Sequence, residues 1–323
     1  MNDKNKKIRT IFIGTPEFAI PCLKALINDE QFEVITVITQ PDKPVGRKKV
    51  LTAPPVKSEA IKNNIPVLQP EKIREFRSKI ELLEPDIIVV AAYAQLIPEK
   101  ILEIPKYGCM NVHASLLPKY RGAAIIHAPI ENCEEETGVT IMKMDAGLDT
   151  GPILSQIRTT IESNDTTGTL SEKLAQLGAK MLIPTITKYI AGELQPTPQD
   201  HDSSSYIGEI KKEYGRINFG KTASEIECFI RAMNPWPSAY AKIEFTKNKK
   251  EFSYAIKIIE VEHTPLDINN FKVGEIFEYE SKLAFQCGND ALLVNTIQLE
   301  GKKEMPSQAF LRGHGDIVGK ILK

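Results

Sequence analysis

The sequence is poor in several things that would each point to a function. It holds five cysteines in 323 residues, Cys22, Cys109, Cys133, Cys228 and Cys287. They are odd in number and scattered, with no Cys-x-x-Cys pair and no cysteine–histidine group at zinc-ligand spacing. This argues against a disulfide framework and a structural metal; the expectation is reduced, mostly buried thiols and no metal. Net charge is almost nil, 41 basic residues against 42 acidic ones leaving −1. A whole-protein field that draws nucleic acid is absent, so any such contact must come from local clusters. No apolar run approaches the roughly 18 residues needed to cross a bilayer. The opening Met1-Asn2-Asp3-Lys4-Asn5-Lys6-Lys7 is polar and lacks the apolar stretch of a secretory signal. A cytoplasmic protein with no membrane contact is expected.

The glycine fingerprint of a dinucleotide site is missing too. The first strand-like run, residues 8–13, ends in Gly14-Thr15-Pro16-Glu17-Phe18-Ala19 rather than G-x-G-x-x-G. The next, residues 33–39, leads into Thr39-Gln40-Pro41, with no acidic residue for a ribose. Both features weigh against a nicotinamide dehydrogenase.

What is present is an ordinary globular composition, 42% hydrophobic and 26% charged, with length for about two domains of roughly 150 residues. Strand-like runs at 8–13, 33–39, 66–68, 86–92, 108–113, 137–144 and 153–160 alternate with helix-like stretches at 18–27, 56–64, 73–83, 123–132 and 170–190. The run 86–92 (DIIVVAA) is continuously apolar, as in a strand buried on both faces. That order predicts an α/β, Rossmann-like, mostly parallel sheet over residues 1–190, with ligands at the carboxyl ends of its strands. Residues 191–208, rich in proline, serine and aspartate, read as a linker. Residues 209–323 carry one helix, 224–233, and then short strands at 240–245, 252–261, 272–279, 283–287 and 291–299. Five short strands in about 100 residues suggest a small OB-like β-barrel.

Two stretches carry chemistry. Asn111 and His113 stand two apart at the end of a predicted strand, so both side chains leave the same face. Met144-Asp145-Ala146-Gly147-Leu148-Asp149-Thr150-Gly151 is a polar turn leaving another strand, with glycines suited to tight, positive-φ geometry. His127, His201, His263 and His314 belong to no motif and read as surface or helix histidines. No Ser-His or Cys-His pair suggests a covalent nucleophile.

Taken together, Asn111-x-His113, Ser115-Leu116-Leu117-Pro118, Arg121-Gly122-Ala123-Ala124 and Leu148-Asp149-Thr150-Gly151 resemble the signature of the formyltransferases that use 10-formyltetrahydrofolate. The 38-residue spacing from Asn111 to Asp149 fits it. The resemblance extends to Gly14-Thr15-Pro16-Glu17-Phe18, to residues 39–47 and to Arg231-Ala232-Met233-Asn234-Pro235-Trp236-Pro237. Ile125 stands where the family often has proline, and Lys48 where it often has glycine. The resemblance implies formyl transfer to the amino group of methionine on charged initiator tRNA, a step of translation initiation, without a covalent enzyme intermediate. It implies that Asn111 donates to the formyl oxygen, that His113 stabilises the tetrahedral intermediate and moves protons, and that Asp149 holds His113 and accepts the amine proton. Ser115, Leu116, Leu117 and Pro118 would form the folate-binding loop. Competing acceptors within the family are a nucleotide-linked amino sugar and glycinamide ribonucleotide; enzymes for the latter would lack most of residues 209–323. From a different class, the chain could be a catalytically silent tRNA-binding module, against which an intact Asn111, His113 and Asp149 argues.

Between Pro41 and Lys57 lie Lys43, Arg47, Lys48, Lys49 and Lys57 against one acid, Asp42. The prolines and Gly46 predict an exposed loop, neither helix nor strand, that orders on binding. Arg47, Lys48 and Lys49 are its candidate tRNA contacts, through phosphate. Residues 209–323 are nearly neutral, 17 basic against 16 acidic, with Lys242, Lys247, Lys249 and Lys250 clustered at one strand-turn. A monomer is expected.

Overall fold

The computed structural model describes residues 6–46, 48–247 and 250–323; Arg47 and Lys249, singled out above, lie outside the described residues. The chain divides into two compact units. Unit 1 comprises residues 1–125, 137–159 and 171–208, and unit 2 comprises residues 126–136, 160–170 and 209–323.

Unit 1 is a seven-stranded sheet. Its strands and attached ribbons are β1 (Ile8–Gly14), β2 (Phe32–Ile38), β3 (Lys43–Val45), β4 (Val50–Thr52), β5 (Val67–Leu68), β6 (Ile87–Ala91), β7 (Cys109–His113), β8 (Arg121–Gly122), β9 (Glu136–Lys143), β10 (Ile153–Thr160) and β11 (Tyr206–Ile207). The main sheet runs β10-β9-β7-β6-β1-β2-β5. Pairings from β5 across to β7 are parallel, and β7 meets β9 antiparallel. The apolar run read as a doubly buried strand is β6, with every residue from Ile87 to Ala91 buried. It packs with Ile11, Ile13 and Ile38 into one core cluster. Helices Ile20–Asn28, Pro55–Lys62, Arg77–Leu82 and Thr167–Ile190 occupy the stretches that the 3.6-residue spacing predicts. The helix expected at 123–132 is shorter, His127–Glu131, because a turn through Ile125 and Ile126 precedes it, and it belongs to unit 2.

Two expectations change here. The basic segment after β2 is an antiparallel ribbon, β3 pairing β4 from Lys43↔Thr52 to Val45↔Val50. A two-stranded ribbon leaves an open edge on each strand, where a proline such as Pro44 is tolerated. Its base is fixed by Asp42, whose carboxylate accepts from Lys57 Nζ at 2.8 Å and Gln69 Nε2 at 2.7 Å. Residues 191–208 fall in unit 1, where Ile153 bridges Thr197 and β11 pairs with β8.

Unit 2 is an antiparallel sheet of β12 (Tyr240–Lys247), β13 (Lys250–Val261), β14 (Ile276–Tyr279), β15 (Lys282–Gln286), β16 (Ala291–Leu299) and β17 (Met305–Pro306). The order is β12-β13-β16-β15-β14, with β17 on β16. The chain end ties the two outer strands: Ile243 in β12 bridges Leu322, and Ile276 in β14 donates its N–H to the Lys320 carbonyl at 2.8 Å. Helix Ala223–Ala232 starts on a capping box of Thr222 and Glu225. Helix Ser307–His314 has no counterpart in the predicted elements; it buries Phe310 and Leu311.

The cysteines also differ from expectation. Cys22, Cys109 and Cys287 are buried free thiols, pushed up to about 12 by burial. Cys133 and Cys228, 95 residues apart in sequence, are joined by a disulfide within unit 2. Sequence separation of this size hides the pairing, because only the packed fold brings their Cα atoms to 5.6 Å.

Candidate active site

β7 ends at the carboxyl edge of the sheet, and its last turn delivers the two residues that period-two geometry placed on one face. Asn111 is half-buried and His113 is buried. The third residue comes from the turn after β9. Asp149 adopts the left-handed region itself, φ +54°, whereas neither Gly147 nor Gly151 has a positive φ. Gly151 serves close approach instead: a Cβ there would fall 1.9 Å from the Lys143 carbonyl oxygen.

The three converge on one oxygen. Asp149 Oδ1 lies 3.5 Å from Asn111 Nδ2 and 3.6 Å from His113 Nδ1. The expected hold of Asp149 on His113 is therefore a charge facing a ring nitrogen just beyond hydrogen-bond reach. The ring is hydrogen-bonded on its other side, where Nε2 donates to the Tyr120 backbone carbonyl at 2.9 Å. A carbonyl only accepts, so Nε2 carries the proton and the neutral ring presents its lone pair at Nδ1, toward Asp149. Burial is the main influence on His113 and holds it below the usual imidazole value; Asp149 and the Tyr120 carbonyl oppose that, and Arg121 adds to it.

Asp149 is fixed from behind. Its Oδ2 accepts the Gly122 backbone N–H at 2.9 Å, and its own carbonyl accepts Gln199 Nε2 at 2.9 Å. Gly122 has φ +106°, and a Cβ there would fall 2.3 Å from the Ile207 carbonyl oxygen. Only glycine fits that position without strain.

The loop Ser115, Leu116, Leu117, Pro118 runs directly off β7. The Ser115 hydroxyl is buried and donates into the loop, to the carbonyls of Lys119 at 2.8 Å and Tyr120 at 3.2 Å. It sets the turn that carries the Tyr120 carbonyl to His113. Thr140 Oγ1 accepts the Leu117 N–H at 3.1 Å, and Gln156 Nε2 donates to the Leu117 carbonyl at 2.8 Å. Leu117 is buried, while Leu116 and Pro118 are half-buried. Lys48 and Lys49 are exposed on the β3–β4 turn, and Lys57 is committed to Asp42. Three histidines read as motif-free have hydrogen-bond partners: His127 Nε2 donates to the Trp236 carbonyl at 3.3 Å, His201 Nδ1 accepts from Arg121 at 3.1 Å, and His263 Nδ1 lies 2.8 Å from Glu227 Oε1.

Tyr120, Gly122 and Gln199 complete the site beyond the residues its sequence predicts. Tyr120 and Gly122 act through backbone atoms, which side-chain identity does not reveal. Gln199 sits among prolines, serines and aspartates that read as linker.

The arrangement offers a neutral amide donor, an imidazole lone pair and a carboxylate around one point, which suits acyl transfer to an amine. Known proteins agree. Residues 6–186 match the family model described as formyl transferase, and residues 209–315 match that of the formyl transferase C-terminal domain. A methionyl-tRNA formyltransferase of Bacillus cytotoxicus is 46% identical over 310 residues, covering 95% of this chain and 96% of that protein. That of Bacillus subtilis is 43% identical over 319 residues, covering 96% and 98%. Among solved structures, the sugar 3N-formyl transferase WlaRD, determined in the presence of dTDP and 5-N-formyl-THF, superposes with a TM-score of 0.65 at 25% identity, covering 92% of this chain and all of that one.

Proposed function

The chain belongs to the formyl transferase family, and we propose that it moves the formyl group of 10-formyltetrahydrofolate onto the amino nitrogen of methionine carried by initiator tRNA. The observation that carries the chemistry is the meeting of Asn111 Nδ2 and His113 Nδ1 at Asp149 Oδ1. The choice of acceptor is supported by 46% identity, over nearly the full length of both chains, to a methionyl-tRNA formyltransferase.

The folate supplies a formyl carbon bonded to nitrogen. The uncharged amine attacks that carbon, a C–N bond forms, and the carbonyl electron pair moves onto oxygen. Asn111 donates its amide N–H to that oxygen as charge develops. The amine then loses a proton and the departing folate nitrogen gains one as its bond to carbon breaks. His113 Nδ1 is the lone pair placed for this relay, and the Asp149 carboxylate stabilises the imidazolium that forms. No enzyme atom bonds to the formyl group.

Leu116 and Pro118 supply the apolar wall of the folate loop, and Ser115 and Leu117 hold its shape. The β3–β4 ribbon, with Lys48 and Lys49 at its turn, grips tRNA phosphate, and Arg47 is assigned the same role from the sequence. On this reading residues 1–190 carry the chemistry and residues 209–323 form an OB-like barrel that acts as a nucleic-acid platform. The bridges of the chain end to β12 and β14 support a closed barrel. The protein works as a monomer in the cytoplasm, where translation begins; sedimentation at micromolar concentration checks the first point.

The test offers the protein charged initiator tRNA or a nucleotide-linked amino sugar with 10-formyltetrahydrofolate. Formylation of the tRNA alone is expected. Asn111→Ala and Asp149→Ala should each lower kcat by about 10² or more. Comparable turnover of the amino sugar, or normal turnover in either variant, overturns the reading.

A further inference from the structure

We propose that Gln199 is a positioning residue for this reaction, clamping the Asp149 turn through its side-chain amide while Arg121 locks the clamp; this rests on the formyl-transfer reading above. Gln199 lies between the segments matched to the two family models, in a stretch whose composition reads as a connector. It is nonetheless 6% exposed, and every polar atom of its side chain is used. Nε2 donates to the Asp149 carbonyl at 2.9 Å and to the Gly151 carbonyl at 2.7 Å. Those two bonds span the catalytic turn on either side of Thr150. Oε1 accepts from Arg121 Nε at 3.2 Å and from a terminal Arg121 nitrogen at 2.7 Å.

The orientation of the amide is settled by chemistry. Arginine only donates, so the atom facing Arg121 is oxygen, and the atom facing two carbonyls is nitrogen. Arg121 is itself 8% exposed, and its terminal nitrogen also donates to His201 Nδ1 at 3.1 Å. The same strap reaches the other side of the site. Ser205 Oγ accepts the Tyr120 N–H and the Ser205 carbonyl accepts the Arg121 N–H, each at 2.8 Å. Residues 199–205 thus brace both the turn that presents Asp149 and the turn whose Tyr120 carbonyl holds His113.

Asp149 needs such a brace. It stands at φ +54°, a conformation unfavourable for a non-glycine residue, and its carboxylate lies 3.6 Å from the ring it serves. A displacement of about 1 Å at such a distance costs up to about 10²-fold in rate. Gln199 touches none of the reacting atoms and acts only through Asp149 and Gly151.

The experiment compares Gln199→Glu and Gln199→Met with wild type. Glutamate keeps an acceptor for Arg121 and cannot donate to the two carbonyls; methionine keeps the volume and loses both roles. Steady-state kinetics with charged initiator tRNA should show kcat reduced tenfold or more in both, with both KM values within threefold. The His113 titration followed by NMR should move to lower pH in Gln199→Met, because Asp149, the carboxylate that favours the imidazolium, is no longer held beside it. Of the other groups acting on His113, the Tyr120 carbonyl is untouched in that variant, and Arg121 keeps its bond to His201 Nδ1. Wild-type kcat in Gln199→Glu, a loss confined to KM, or an unmoved His113 titration overturns the proposal. Should Gln199→Met fail to fold, the kcat and KM of Gln199→Glu decide. A wild-type protein that does not formylate the tRNA would instead sink the functional reading, while the NMR titration still tests the brace.

Discussion

The His113 ring donates from Nε2 to the Tyr120 carbonyl at 2.9 Å, and this one bond decides which nitrogen is left for chemistry. A lone pair at Nδ1 faces Asp149, so proton transfer is assigned to that atom. His113→Ala should therefore lower kcat by about 10² or more. His113→Gln, which supplies an amide donor for the Tyr120 carbonyl and no basic nitrogen, should not restore it. Rapid-quench measurement of a single turnover separates this chemical loss from slower product release. A His113→Gln enzyme with near-normal turnover would remove the imidazole from the relay.

The pH dependence follows from the direction in which His113 is shifted. Burial holds it below the ordinary imidazole value of 6.5, so at pH 7 the lone pair is available. As pH falls, the His113 ring followed by NMR in the free enzyme should stay neutral to below pH 6.5; the ring and not kcat is the readout, because the attacking amine titrates nearby. The stability sign is the same. Above pH 6.5 both folded and unfolded His113 are neutral and no cost arises. Below it the unfolded chain binds the proton first, so folding stability declines until the folded ring also protonates. A His113 titration midpoint above pH 6.5 contradicts the burial argument.

Gly122 joins two constraints in one residue. Its N–H donates to Asp149 Oδ2, and its φ of +106° sets its Cα against the Ile207 carbonyl. Gly122→Ala should lower kcat at least tenfold and lower the melting temperature, since the β-carbon forces the β8–β11 pairing apart. A crystal structure of the variant should show Asp149 displaced. Unchanged kcat with an unshifted Asp149 would refute this.

Much of unit 1 was legible because its signals are local. The β6 run declares double burial, and the Asn111–His113 spacing declares a shared face at a strand end. Asp149 could be named but not its geometry: the positive φ expected of the neighbouring glycines belongs to the aspartate, because hydrogen bonds from Gln199 and Gly122 over-determine it. The β3–β4 ribbon leaves no clear sequence signal, because proline and glycine mark loops and also occupy ribbon edges and turns. Gln199 was invisible because a hydrogen bond to a residue 50 positions away leaves no periodic trace. The helix Ser307–His314 buries only three residues, Ser307, Phe310 and Leu311, too few to set up a pattern.

The Cys133–Cys228 disulfide closes a loop spanning 95 residues of sequence. Cross-links of this kind stabilise by about 2–4 kcal/mol, in part by restricting the unfolded chain. Peptide mapping without reductant should recover the joined peptides, and Cys133→Ser should lower the melting temperature in oxidising buffer only. With excess dithiothreitol, variant and wild type should melt together. Free thiols at both positions in air-oxidised protein would contradict the linkage.

The β3–β4 ribbon leaves the sheet from the carboxyl end of β2, three strands from β7 in the order β7-β6-β1-β2. At about 4.8 Å per strand its base stands roughly 14 Å from the strand carrying Asn111 and His113. That is close enough for the ribbon to touch the backbone of a nucleic acid whose end enters the site. Lys48 and Lys49 are exposed at its turn, which the Lys49 N–H closes onto the Gly46 carbonyl at 3.1 Å. Lys57 is spent on Asp42 and is not counted. Each lysine that touches phosphate displaces counterions, so each contributes about 0.7–0.9 to the slope of log affinity against log salt. Lys48→Ala and Lys49→Ala should each weaken charged-tRNA binding and flatten that slope by this amount, with the double variant losing about twice as much. Folate binding, read by fluorescence quenching at fixed salt, should be unaffected. An unchanged slope in the double variant would remove both lysines from phosphate contact, and weakened folate binding with tRNA binding intact would assign the ribbon to the folate site.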